Sequence, residues 1–163
     1  MSKLAFRLPI SYIDRSREYY QAQGFDRPYE WATNAESPFM TLFKPVSDMK
    51  FGLATTSSLF RESPESNREP KKVFAKATNP APTSMYTNDL FWDKNATHTN
   101  DLGSFLPLSH LETLATDGVI GSVSERFYGM PTVYSSRLAN KNAAEVEELA
   151  KADGVEAMIL VPL

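Results

Sequence analysis

The chain contains no cysteine. A thiolate nucleophile, a thiolate metal site and a disulfide framework are therefore excluded within these 163 residues. Histidine is scarce as well: only His98 and His110 are present. Long apolar runs are missing, so no stretch reads as a bilayer-crossing segment and no membrane association is expected. Met1 to Ile10 mixes Lys3 and Arg7 into short apolar stretches and lacks the continuous apolar core of a secretory signal. A cytoplasmic location is the expectation. There is no basic excess either. Seventeen Lys and Arg against twenty Asp and Glu give a net charge of −3, and no basic stripe stands out, so a nucleic-acid partner is not expected. The phosphate-cradling patterns GxxxxGK[ST] and GxGxxG are absent, as is the GxSxG nucleophile elbow.

What is present suits one folded α/β domain. The length is enough to bury a core without metal or disulfides, and a hydrophobic share of 42% with 23% charged residues excludes global disorder. Ser11 to Gln23 reads as a helix, with Ser11 as cap, Asp14 near its positive end and Gly24 as its stop. Phe25 to Pro45 is irregular and carries Phe25, Tyr29, Trp31, Phe39 and Phe43 between Pro28, Pro38 and Pro45. It reads as an extended aromatic arm. Its rings serve either as core packing or as anchors of a partner interface. The first 48 residues form this helix and arm, packed on an α/β domain spanning 49–163, a single structural domain overall.

Met49 to Thr56 predicts a strand, Arg61 to Lys72 a charged loop, Lys72 to Ala77 a short strand, and Met85 to Trp92 another. In the second half, Ser109 with Glu112 fits a capping box ahead of an apolar face made by Leu108, Leu111, Leu114 and Ala115. Gly118 ends that helix, and Val119 to Val123 predicts a short strand. Asn142 with Glu145 repeats the capping pattern before Val146, Leu149 and Ala150, and Gly154 stops the second helix. Val155 to Leu163 is nearly continuously apolar, as strands covered on both faces tend to be. Helix, glycine and buried strand together make one αβ unit of a mostly parallel sheet with flanking helices, of the Rossmann-like or flavodoxin-like kind. The last strand is expected to be central or next to central.

Such sheets hold ligands beyond the carboxyl ends of their strands. Thr55, Thr56 and Ser57 lie at such an end, where hydroxyls and backbone N–H groups can hold a carboxylate or an amine. An ordinary strand-to-loop transition explains them equally. His98 and Asp101, in or beside the polar stretch from Asp93, read either as a hydrogen-bonded turn or as contacts from a substrate-facing loop. One His and two Asp are too few for a metal site, so no metal is expected. His110 falls in the first turn of a helix, where a surface position explains it.

Four stretches taken together carry a resemblance. They are SYIDRSREYYQAQGFDRPYEWA (Ser11 to Ala32), SPFMTLFKPVSDMKFGLATTS (Ser37 to Ser57), FLPLSHLETLATDGVIGSVSERFYGM (Phe105 to Met130) and EELAKADGVEAMILVPL (Glu147 to Leu163). The chain resembles the selenoprotein B family of glycine, sarcosine, betaine and D-proline reductases, above all its short relatives. The resemblance runs over most of the chain and is strongest in the D-G-V-x-A-x-x-L-V-P ending. It implies an oxidoreductase subunit for reductive C–N cleavage of a small amine or amino acid, working beside a pyruvoyl-containing subunit. The family's selenocysteine or cysteine comes directly after the last strand, so the catalytic residue is expected directly after Leu163 and none within this chain. No cofactor of its own is implied. An in-frame UGA read as stop accounts for such an end, and a natural cysteine-free subunit or a trimmed chain are the rivals. Without its nucleophile the chain is expected to be inactive. A non-catalytic domain binding a small molecule or a partner on the same scaffold is the alternative, and a homodimer is expected to hide apolar surface.

Overall fold

The computed structural model describes residues 11–26, 35–36, 40–60, 72–87, 98–133 and 135–163. Two compact units divide the chain, 1–39 and 40–163. Met1 to Ile10, Tyr29, Trp31 and Phe39, most of the charged loop from Arg61, and Asn88 to Thr97, for which the sequence carries expectations, lie outside the described residues.

In the first unit, α1 (Tyr12–Ala22) begins where Ser11 caps it. The Ser11 hydroxyl accepts the Asp14 N–H at 3.2 Å and donates to the Asp14 carboxylate. Gly24 follows with φ +84°, and the Phe25 N–H closes the end on the Tyr20 carbonyl. None of the residues of α1 is buried.

The second unit is built on β1 (Lys50–Thr55), which is central. On one side it pairs in parallel with β5 (Ala157–Val161), from Phe51↔Ala157 to Thr55↔Val161. On the other it pairs in parallel first with β3 (Ser122–Val123) and then with β4 (Arg126–Gly129). An antiparallel strand, β2 (Phe74–Ala77), adds to β4. The result is an open, mostly parallel mixed sheet. Flanking helices are α2 (Leu108–Thr116) and α3 (Ser136–Ala152).

Side chains alternate across the strands, which splits the core in two. Leu53 and Phe127 join Met85, Phe105, Leu108, Leu111 and Ile120 beneath α2. Their neighbours Ala54 and Tyr128 join Val146 and Ala150 beneath α3. Gly118 and Gly154 end α2 and α3 at φ +71° and +70°, so all three glycines read as helix stops hold the left-handed conformation that favours this residue. Gly121 is needed for closeness instead: a β-carbon there would lie 2.6 Å from the Asp48 carbonyl carbon.

Three expectations are corrected. The final strand is not fully buried. Among the described residues β5 pairs only with β1, its residues are half-buried, and Leu160 is 71% exposed. The central place belongs to β1, whose last residues are buried. Ile159, Val161 and Leu163 pack on one core and Met158 on the other, so an apolar run that suggests cover on both faces here serves a strand beside the central one. Ser109 does not cap α2: the cap position is Pro107, two residues earlier, with no side-chain cap bond. Asn142 lies inside α3, whose cap position is Ser135. Ser and Asn favour caps but are tolerated on an exposed helix face, and an apolar stripe does not say how far a polar first turn extends beyond it.

Candidate functional site

The carboxyl ends of β1, β4 and β5 meet on one side of the sheet, where the Met130 N–H donates to the Thr55 carbonyl at 3.0 Å. Thr55 and Ser57 are each only 1% exposed. Their hydroxyl oxygens lie 3.0 Å apart, the Ser57 N–H donates to Thr55 Oγ1 at 3.2 Å, and Ser57 Oγ donates to Met85 Sδ at 3.6 Å. Both hydroxyls are thus satisfied inside the protein, and they shape the strand end. Thr56, between them, is half-buried and reaches across to the end of β5. Its Oγ1 accepts the Leu163 N–H at 2.8 Å and donates to the Leu163 carbonyl at 3.2 Å.

His98 and Asp101 make local bonds. His98 Nδ1 accepts the Asn100 N–H at 3.3 Å. Asp101 caps a short 3-10 helix, Leu102–Ser104, through Oδ1 and the Gly103 N–H at 3.1 Å, and its carbonyl accepts the Ser104 hydroxyl at 2.7 Å. Neither is hydrogen-bonded to the Thr55–Ser57 run. His110 stands in the first turn of α2, exposed, close to Gly103. Among the described residues no group of His, Asp and Glu is arranged to hold a metal ion. No described helix is long and apolar enough to cross a membrane.

Among the described residues, the densest polar network lies at the opposite, amino end of the strands, and sequence reasoning missed it. Arg126 clasps Asp153 with two bonds, Nε to Oδ2 at 2.8 Å and Nη2 to Oδ1 at 2.7 Å. The Tyr128 hydroxyl donates to Asp153 Oδ2 at 2.6 Å and lies 3.3 Å from Ser124 Oγ. Alongside, Lys50 Nζ pairs with Glu125 at 2.6 Å. Glu156 Oε2 takes both Lys44 Nζ at 2.6 Å and the Lys50 N–H at 3.0 Å.

The charges respond accordingly. Arg126, bonded to the Asp153 carboxylate, holds it below the usual carboxylate range against the opposing effect of burial. Lys50 does the same for Glu125, and Lys44 with the Lys50 N–H for Glu156. Tyr128 is fully buried, and desolvation followed by its bond to Asp153 pushes its phenol up to about 12. Each of these acids is neutralised by a cation, so the network offers neither a free base nor a nucleophile. It ties the β4 start, the end of α3 and the β5 start together. The available signal was Asp153 directly before the Gly154 stop, with Arg126 and Tyr128 at alternate positions of one strand.

Chemically, the carboxyl end is the better candidate. It presents half-buried Thr56, the exit of β5, and the first turn of α3 at Ser135, whose side chain makes no cap bond. No protein-family model, no curated protein and no solved structure matches this chain.

Proposed function

We propose that the chain is a subunit of a reductase of the selenoprotein B type, built on a Rossmann-like sheet with an aromatic N-terminal arm, whose reactive residue follows Leu163 in a longer product. One observation supports this reading. The exit of β5 is tied to the end of β1 through Thr56, so a residue beyond Leu163 begins at the carboxyl ends of the parallel strands. That is where open α/β sheets hold ligands and where the resemblance puts the selenocysteine or cysteine.

The chemistry suits the position. A selenolate or thiolate attacks the carbon bonded to nitrogen. The new bond to carbon forms as the C–N bond breaks, and the nitrogen leaves with the electron pair and takes up a proton. A dithiol then attacks the selenium or sulfur: the bond to carbon breaks, the carbon leaves with the electron pair and takes up a proton, and the second thiol closes the disulfide, regenerating the selenolate or thiolate. A pyruvoyl-containing subunit is the proposed partner that activates the amine, and a small amine or amino acid the substrate.

The test begins with the natural gene read past the codon for Leu163, and with the protein as its host makes it. A selenocysteine or cysteine soon after Leu163, with alkylation-sensitive cleavage of glycine, sarcosine, betaine or D-proline, is the expected result. A product without selenocysteine or cysteine and without cleavage activity sinks the proposal. A second reading, a non-catalytic binding domain on the same scaffold, is favoured by the mutual pairing of Thr55 and Ser57, which leaves those hydroxyls no role in attack.

A further inference from the structure

The parallel ladder between β1 and β5 ends at Thr55↔Val161. The next residue of the β5 arm is Pro162, which has no N–H to donate. The backbone therefore cannot continue the ladder at that step. One side chain takes over: Thr56 Oγ1 binds both the N–H and the carbonyl of Leu163, at 2.8 and 3.2 Å. A hydroxyl can donate once and accept twice, so one group bonds both the N–H and the main-chain oxygen of Leu163. The Leu163 side chain packs on the α2 core cluster, which gives the same residue a second hold. Two residues beyond the exposed Leu160, and past Val161, the proline thus ends the ladder while the next residue is still tied to β1.

We propose that Thr56 is a positioning residue, whose hydroxyl fixes the path of the chain out of β5 over the carboxyl end of β1. Its chemical purpose rests on the reductase reading above, in which the nucleophile comes directly after Leu163. Attack requires the reacting atoms at about 3–3.5 Å and in line, so a strand end free to swing forfeits rate at the chemical step and leaves substrate affinity nearly unchanged.

The test uses the protein at the length its host produces, as wild type, Thr56→Val and Thr56→Ser. Two quantities are measured: hydrogen exchange at the Leu163 amide by NMR, and C–N cleavage with the pyruvoyl subunit and a dithiol. In Thr56→Val the Leu163 amide is expected to exchange roughly tenfold faster, the size of one lost hydrogen bond, while the amides of β4 keep their rates. Cleavage is expected to lose about tenfold or more in kcat with KM little changed. Thr56→Ser restores both. If the Leu163 amide exchanges equally in all three proteins, the proposal is overturned whatever the activity. An altered amide in an active protein with unchanged kcat overturns it too, because Thr56 then only stabilises. If the wild type cleaves nothing while its Leu163 amide responds as expected, the reductase reading falls and the fixed exit from β5 stands.

Discussion

The ring of Phe74 fills the space that a β-carbon on Gly129 would need. The two residues are direct partners across the antiparallel β2–β4 pair, and a β-carbon on Gly129 would overlap Phe74 Cζ, at the outer edge of the ring. The same ring stands edge-on to Phe127, at 6.2 Å between centroids and 90° between planes. One glycine therefore lets an aromatic side chain lie down on the sheet and join the core.

Gly129→Ala is expected to be among the most destabilising small substitutions in the domain. Overpacking of this kind costs about 1–3 kcal/mol. A urea titration should show a lower midpoint with an unchanged slope. Adding Phe74→Leu to Gly129→Ala should recover part of the loss, since the clash goes with the ring. If the two changes add independently, the ring is not what Gly129 accommodates.

The Arg126–Asp153 pair predicts how stability responds to acid. The folded Asp153 ionises below its ordinary value because Arg126 holds the carboxylate, and Glu125 and Glu156 shift the same way. A depressed carboxylate contributes stability that is present above the unfolded value, about 3.9 for Asp, and lost as pH falls through the folded value. The wild type should therefore lose stability below about pH 4. Asp153→Asn should cost about 1.5–3 kcal/mol at neutral pH, since hydrogen bonds to a charged group go. The gap between variant and wild type should narrow as pH falls through that window. Urea midpoints at several pH values give the answer, and a constant gap would refute the assignment to Asp153.

Tyr128 sets the alkaline limit in the opposite sense. Burial and the Asp153 bond favour the neutral phenol, pushed up to about 12. An unfolded tyrosine ionises near 10. The contribution is therefore complete below about pH 10 and falls as pH rises from there through the folded value. Tyr128→Phe should lower stability at neutral pH by about 1 kcal/mol and flatten the loss between pH 10 and 12. Parallel slopes for the two proteins in that range would mean that Tyr128 does not govern it.

Much of this architecture is written in local signals. Ser11, Gly24, Gly118 and Gly154 mark helix ends because their side chains, or lack of one, act on neighbouring backbone, and a near neighbour is visible in a sequence. Lys50–Thr55 is legible as a strand for the same reason. The order of strands is not local. That β5 lies beside the central β1, one of the two places expected, yet has no second neighbour among the described residues depends on β3 and β4 docking in succession against the other side of β1, and the apolar run of β5 looks alike either way. β4 is not legible because RFYG is short and mixes a charge with aromatics, and the match for its Arg126 is Asp153, far along the chain. In the site, strand-end logic pointed to Thr55, Thr56 and Ser57, but which hydroxyl faces its neighbours and which reaches β5 depends on tertiary placement.

Thr55 and Ser57 allow that last distinction to be measured. Thr55→Val keeps the shape but removes the oxygen that accepts the buried Ser57 N–H and faces Ser57 Oγ. An orphaned buried donor costs about 1–3 kcal/mol. Ser57→Ala removes a hydroxyl but leaves the N–H bond to Thr55 Oγ1 in place, so it should cost less. Because the two hydroxyls contact each other, the double variant should lose less than the sum of the single changes, with a coupling of at least about 0.5 kcal/mol. Urea unfolding of the four proteins supplies the cycle. Thr56→Val serves as the contrast, since among the described residues its hydroxyl bonds Leu163 alone and should not couple to either neighbour. Coupling of Thr55 to Thr56 as large as that to Ser57 would show the run acting as one polar cluster, and the separation of a buried structural pair from an outward positioning residue would be wrong.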